Sequence, residues 1–346
     1  MSGGVVVRVA HGLAAAEATT WSGPFERAMA LPYWTRRKRR EIEDAHDRDG
    51  VLSWPVPFAL NQDPAPLRAA PGRRTEWFAF QARLLAAGGG RYRAEDALQA
   101  WLALGEGPEA PRLTLGQRAA LEHLRSGVRP PESGHDHPQP FDDAALVRAL
   151  AIAAALAGTP ADVAEAVAQD AAFTNADDGV WCALAAAAAL VAVRRGGDGQ
   201  AAAAAARACL PDGSWSARQA DLALAHASAA ADPLDLAWRL DHDVANAAYS
   251  YGDTAPEVLA IALAILRSTY PRIEAALLTA AAVPRHAPGA APVVGAWFAA
   301  GGHLPAPLER LADRLPPLAG LALPSLRGVR LTELAHDAAN PAPDKD

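Results

Sequence analysis

Alanine limits what this chain can become more than any other residue. Runs such as Ala185 to Ala189 and Ala201 to Ala206 supply much of a 51% hydrophobic composition that is only 6% aromatic. Alanine is the best helix former, and its small side chain lets helices approach closely. Val and Ile are too sparse and scattered to build a large sheet. The expectation is an all-α fold.

The chain has 346 residues, enough for one large domain or two modest ones. No fixed-period repeat and no convincing linker divides it, so a single domain over residues 1–339 is expected, with a disordered tail at 340–346. A formal net charge of -7 argues against nucleic-acid binding. Cys182 and Cys209 lie in alanine-rich runs without zinc spacing and read as small core residues. The N-terminal apolar stretch carries Arg8 and no basic leader, so no signal peptide is expected. The longest apolar run, Val180 to Val193, is short for a bilayer. A soluble, cytoplasmic protein with no membrane association follows.

Helices are expected near 8–18, 32–48, 76–87, 94–104, 115–126, 142–157, 160–171, 177–195, 199–209, 217–229, 233–248, 255–268, 271–283 and 290–300. Gly158 and Gly196 mark stops; Thr159-Pro160 and Thr254 mark starts. Two proline-rich stretches, Trp54 to Gly72 and residues 127–140, read as long ordered loops, and long loops in compact domains often carry function.

Several polar clusters have two readings. Arg36-Arg37-Lys38-Arg39-Arg40 is a phosphate or nucleic-acid patch or, with Glu41, Glu43 and Asp44 one turn on, a solvated helix face. His135-Asp136-His137 is a zinc pair or exposed loop. Asp142 and Asp143 are a carboxylate pair that binds a cation or acts as acid and base, or Asp142 caps a helix beginning at Asp143. Asp241-His242-Asp243 and Asn175 to Asp178 read as helical and helix-start residues. No phosphate-binding Gly-x-x-x-x-Gly-Lys-Ser/Thr, His-Glu-x-x-His or Gly-x-Ser-x-Gly occurs.

The sharpest local feature is Pro71-Gly72-Arg73-Arg74-Thr75-Glu76-Trp77. Two arginines precede an apolar run, and Thr75 reads as an N-cap whose first-turn N–H groups would face a bound anion. The stretch resembles the Ser-Asp-Asp-Thr-Glu-Trp run of the ADP-ribosylglycohydrolase family, in which the aspartates and threonine hold a pair of magnesium ions. Thr75, Glu76 and Trp77 match; Arg73 and Arg74 stand at the aspartates. The resemblance extends along the chain. Gly12-Leu13-Ala14-Ala15-Ala16-Glu17-Ala18-Thr19-Thr20-Trp21 looks like the family's Gly-Leu-Ala-x-Gly-Asp-Ala-x-Gly-Trp, with Glu17 at the aspartate. Phe141 to Ala149 resembles a helix start, Asn-Gly-Ala-x-Met-Arg-Ala, that lies at the ligand cleft. Thr174 to Val180 falls at a Thr-His turn. Ala290 to Ala296 matches the helix after the family's Gly-Gly-Asp-Thr-Asp-Thr block, which places Pro284 to Gly289 at that block and sets Asp253-Thr254 aside.

The resemblance implies a single-domain ADP-ribosylglycohydrolase-like helical bundle, with an ADP-ribosyl or other nucleotide-glycoside small molecule as ligand. With arginines at one ligand block and no carboxylate at the other, no metal and no cofactor are expected. Glu17, Glu76, Asp142 and Asp143 are then the acids that could hydrolyse an N-glycosidic bond without magnesium. Arg73, Arg74, Thr75, His286 and Arg148 are the expected ligand contacts. The alternative is a non-catalytic homologue, a pseudoenzyme that serves as a binding or scaffold protein.

Overall fold

The computed structural model describes residues 3–19, 69–106, 112–245, 253–283 and 285–341. The expected helix at 32–48, its basic run, and nearly all of the first proline-rich loop lie outside those residues.

Every regular element among the described residues is helical, apart from one antiparallel bridge between Asp142 and Thr254. Sixteen α-helices follow in chain order: α1 (Gly3–Thr19), α2 (Arg73–Ala87), α3 (Ala94–Glu106), α4 (Leu115–Arg125), α5 (Glu132–His135), α6 (Ala144–Ala155), α7 (Pro160–Ala171), α8 (Asp178–Arg194), α9 (Gly199–Arg207), α10 (Trp215–Ala229), α11 (Pro233–Arg239), α12 (Ala255–Thr269), α13 (Ile273–Ala281), α14 (Ala287–Ala300), α15 (Ala306–Arg314) and α16 (Leu331–Ala339). The two last helices had no counterpart in the sequence reading, and neither did α5, a single turn inside the expected 127–140 loop. The helix expected over 233–248 breaks into α11 and a π-helical turn, Leu240–Val244, that holds Asp241, His242 and Asp243.

Alanine packing builds the centre. All of α14 is buried, and α12 is buried nearly throughout, as expected for helices apolar on every side. α1 crosses α14 at Gly12 and Gly295. A Cβ on either glycine would lie 2.3 Å from the other's carbonyl oxygen, so the two backbones touch and no larger residue fits. α6 packs against α2 and α8. The starts of α2, α6, α12 and α14 are thereby brought together at one end of the core, as the contacts below define. Among the described residues no helix is long and apolar enough to cross a membrane.

Candidate functional site

The start of α2 is held by a residue from α1. α2 begins at Arg73 with Gly72 as N-cap, three residues before the expected cap at Thr75. The buried Glu17 carboxylate explains the difference. It accepts the backbone N–H of Gly72 at 2.9 Å, Arg74 at 3.1 Å and Thr75 at 3.0 Å, and the Thr75 hydroxyl at 2.6 Å. A carboxylate at a helix N-terminus is a stronger acceptor than a hydroxyl and suits the helix dipole. Burial raises the Glu17 carboxyl against the pull of the Thr75 hydroxyl and the Arg74 charge. The first-turn N–H groups thus face Glu17 instead of an outside anion.

With its backbone so anchored, Arg74 reaches Asp143. Its Nη2 and Nε donate to Asp143 Oδ2 at 2.7 and 3.1 Å. Both side chains keep slight exposure, 17% and 11%. Arg73 turns elsewhere, with its Nη2 donating to the Arg112 carbonyl. Asp143 lies against the first turn of α14, where a Cβ on Gly289 would fall 2.7 Å from Asp143 Oδ2.

Asp142 is the neighbouring acid, and it is almost fully buried. Its Oδ1 accepts Ala144 N–H at 3.1 Å and Asn175 Nδ2 at 3.3 Å; its Oδ2 accepts the Thr114 hydroxyl at 3.2 Å. The helix starts at Ala144, two residues after the expected 142 and one after the start that a cap at Asp142 implies, with Asp143 as N-cap residue and the Asp142 side chain taking the free N–H. Burial, and then the adjacent Asp143 charge, push the Asp142 carboxyl up to about 7.

Asp253 completes the group of acids. The bridge between Asp142 and Thr254 is carried by Asp143 N–H to the Asp253 carbonyl at 2.7 Å and Ala255 N–H to the Phe141 carbonyl at 2.8 Å. Burial and then the Asp143 charge raise the Asp253 carboxyl, while Arg74 opposes. Sequence order had set this residue aside, and only the bridge brings it to the site. Asn175, another participant the sequence reading did not name as such, sits in the turn before α8. Its Nδ2 also donates to the Asp142 carbonyl at 2.9 Å. In the same turn, Asp177 has φ 44° and ψ -116°, a strained conformation for a residue with a Cβ, worth about 1–3 kcal/mol.

The other expected site residues are spent on the protein itself. Both Glu76 oxygens accept backbone N–H groups, Leu321 and Ala322 at 2.7 Å and Leu323 at 3.0 Å. Arg148 is fully buried. Its Nε donates to Asp170 Oδ2 at 2.8 Å, its Nη1 to the Ala144 carbonyl at 3.1 Å and its Nη2 to Thr174 Oγ1 at 3.0 Å. The guanidinium lies 5.3 Å from the Trp101 ring centre, and Trp101 stacks on Trp77. This internal network replaces the ligand contact expected of Arg148. His286, at the N-cap of α14, is fully buried with its Nε2 2.8 Å from Glu257 Oε2. The two histidines of the pair face different protein partners. His137 contacts the Thr174 carbonyl through Nε2 at 2.9 Å and accepts Gln139 N–H at Nδ1, while His135 is exposed beside Asp136.

The comparisons agree with this architecture. The model of the ADP-ribosylglycohydrolase family matches residues 11–342, and the chain belongs to that family. A solved structure described as an ADP-ribosylglycohydrolase-related protein complex superposes with a TM-score of 0.58 at 17% identity, covering 98% of each chain. That likeness speaks for the fold. No curated protein matches.

Proposed function

We propose that this chain is a divergent ADP-ribosylglycohydrolase-like protein that binds an ADP-ribosyl or similar nucleotide-glycoside ligand, without magnesium, where α2, α6, α12 and α14 begin. The observation that carries the reading is the Arg74–Asp143 ion pair at that convergence, beside Asp142 and Asp253. Family membership supplies the ligand class; the ion pair supplies the departure from magnesium.

The residues present do not fit a magnesium pair. Arginine has no lone pair to offer a metal. The Thr75 hydroxyl, which donates to Glu17, offers one neutral oxygen, and a magnesium pair usually takes carboxylates. At 4 Å and an effective dielectric of about 20, a guanidinium repels each unit of positive charge by about 4 kcal/mol. Among the described residues no three His, Cys, Asp or Glu side chains form a metal-holding group.

Hydrolysis, where it occurs, falls to Asp142. Glu17 and Glu76 are engaged by backbone donors and have structural roles. Asp142 is the acid whose proton exchanges near neutral pH, the condition for general acid–base work. It would protonate the departing nitrogen as the bond to the anomeric carbon breaks, and the water that adds at that carbon would return its proton to the Asp142 carboxylate. A specific observation also favours the non-catalytic reading: Glu17, Glu76 and Arg148 all close on protein groups.

Calorimetry with ADP-ribose, run with EDTA and again with magnesium, tests binding. Saturable binding, equal in the two conditions, is expected. Binding that requires magnesium, or none in either condition, would count against the proposal. Release of free base from a nucleotide glycoside, abolished in Asp142→Asn, separates the enzyme from the pseudoenzyme.

A further inference from the structure

Arg148 looks spent on the interior, yet two of the groups it holds lead to Asp142. We infer that Arg148 is a positioning residue for Asp142. It sets both donors that meet Asp142 Oδ1: the Asn175 amide by way of the Thr174 hydroxyl, and the Ala144 N–H by anchoring the carbonyl of the same residue. The proton of the neutral acid is thereby assigned to Oδ2. A part in hydrolysis rests on the reading of Asp142 given above; the hydrogen-bond relay does not.

Direction is fixed at both ends of the relay. A guanidinium can only donate. Arg148 Nη2 donates to Thr174 Oγ1 at 3.0 Å, which leaves the hydroxyl proton for Asn175 Oδ1, 2.7 Å away. A backbone carbonyl can only accept, and the Asp142 carbonyl takes Asn175 Nδ2 at 2.9 Å. The same Nδ2 stands 3.3 Å from Asp142 Oδ1. On the other route, Arg148 Nη1 donates to the Ala144 carbonyl at 3.1 Å, and the Ala144 N–H meets Asp142 Oδ1 at 3.1 Å. Arg148, Thr174 and Asn175 are all buried, and in such an interior linked hydrogen bonds polarise one another. Asn175 is also tightly packed: a Cβ on Gly179 of α8 would fall 2.7 Å from its Nδ2. With two donors on Oδ1, the proton belongs on Oδ2, which faces the Thr114 hydroxyl. The charged neighbours of Asp142 are Asp143 and Asp253, with Arg74 acting through Asp143. His137 approaches on the α4 side, where a Cβ on Gly116 would lie 3.0 Å from Asp142 Oδ2 and 3.1 Å from His137 Cε1. His137 contacts the Thr174 carbonyl and leaves its hydroxyl to the relay.

Thr174→Val keeps the branched shape and deletes the hydroxyl. The Asn175 amide then loses the donor that orders and polarises it, and it supports the charged carboxylate less well. Carbon-13 NMR of labelled aspartate carboxyls in the full chain follows the Asp142 titration, assigned by its absence from Asp142→Asn. The midpoint, about 7 in the wild type, is expected to rise by about half a pH unit or more in Thr174→Val, roughly a threefold gain in proton affinity. Thr174→Ser restores the hydroxyl and is expected to return the midpoint to that of the wild type. An unmoved midpoint in a folded Thr174→Val, or the same rise in Thr174→Ser, would overturn the inference. Should Thr174→Val fail to fold, nitrogen-15 spectra of the wild type decide. The Asn175 side-chain amide must shift with the Asp142 midpoint, and an amide indifferent to that titration overturns the relay. These titrations need no turnover. A chain whose midpoint moves as expected but that releases no base keeps the relay and loses only the hydrolase reading.

Discussion

Replacing Asp142 by Asn should make this protein more stable at pH 8 and leave it nearly unchanged at pH 4. The carboxyl sits about 3 pH units above its ordinary 3.8, at about 7, chiefly because burial penalises the charged form. The folded state therefore holds a proton that the unfolded chain releases. The stability this proton confers is fully present below pH 3.8 and declines as pH rises, until it is lost above about 7. At about 1.4 kcal/mol per unit, the total comes to about 4 kcal/mol. Asparagine is neutral throughout and escapes that decline. Its oxygen can keep the Ala144 and Asn175 donors. Its amide would face Thr114, whose hydroxyl already accepts Gln117 N–H and can turn its own proton away. Urea denaturation at intervals from pH 4 to 8.5 gives the difference between variant and wild type. Glu17 and Asp253, also raised, tilt both curves and largely cancel in the difference. An advantage of about 2–4 kcal/mol at pH 8, opening between pH 4 and 7, is expected. A flat difference across that range, or a variant less stable at pH 8, would refute the account of Asp142.

Two further outcomes test the structural assignments. Arg148→Met leaves Asp170 buried without its guanidinium and should lower unfolding free energy by about 3–5 kcal/mol; adding Asp170→Asn should recover most of the loss in chemical denaturation. Glu76→Ala removes the acceptor for three backbone donors. It should cost about 1–3 kcal/mol and speed amide hydrogen exchange at 321–323, with the near-ultraviolet signal of the Trp77–Trp101 stack retained.

Much of the helical plan was legible because the chain punctuates itself. Thr159 caps α7 reciprocally with Asp162, and Pro160 follows at the first turn. Gly196 takes φ 89° just past α8. The start of α14 at Ala287 came three residues before the expected 290, and α15 and α16 were overlooked although Pro305 and Pro307 mark a start. One pairing joins two residues singled out from the sequence: Arg74 meets Asp143, the chain neighbour of Asp142. What the sequence could not convey was direction. Arg73 and Arg74 are neighbours in the chain, yet one faces the acids and the other a loop carbonyl. Glu76 and Arg148 look like site residues by motif, but their partners lie 245–247 and 22–26 residues away. Asp253 arrives through a backbone bridge that leaves no mark in composition or periodicity.

Glu17 has one more consequence. The chain leaves α1 at Thr19 and is described again from Ala69, and Glu17 grips Gly72, Arg74 and Thr75 just beyond that return. Departure and arrival are thus knotted at one carboxylate, like the two ends of a purse-string. Any change that removes the Glu17 carboxylate would therefore release Gly72, Arg74 and Thr75 together, and with them the floor beneath Arg74.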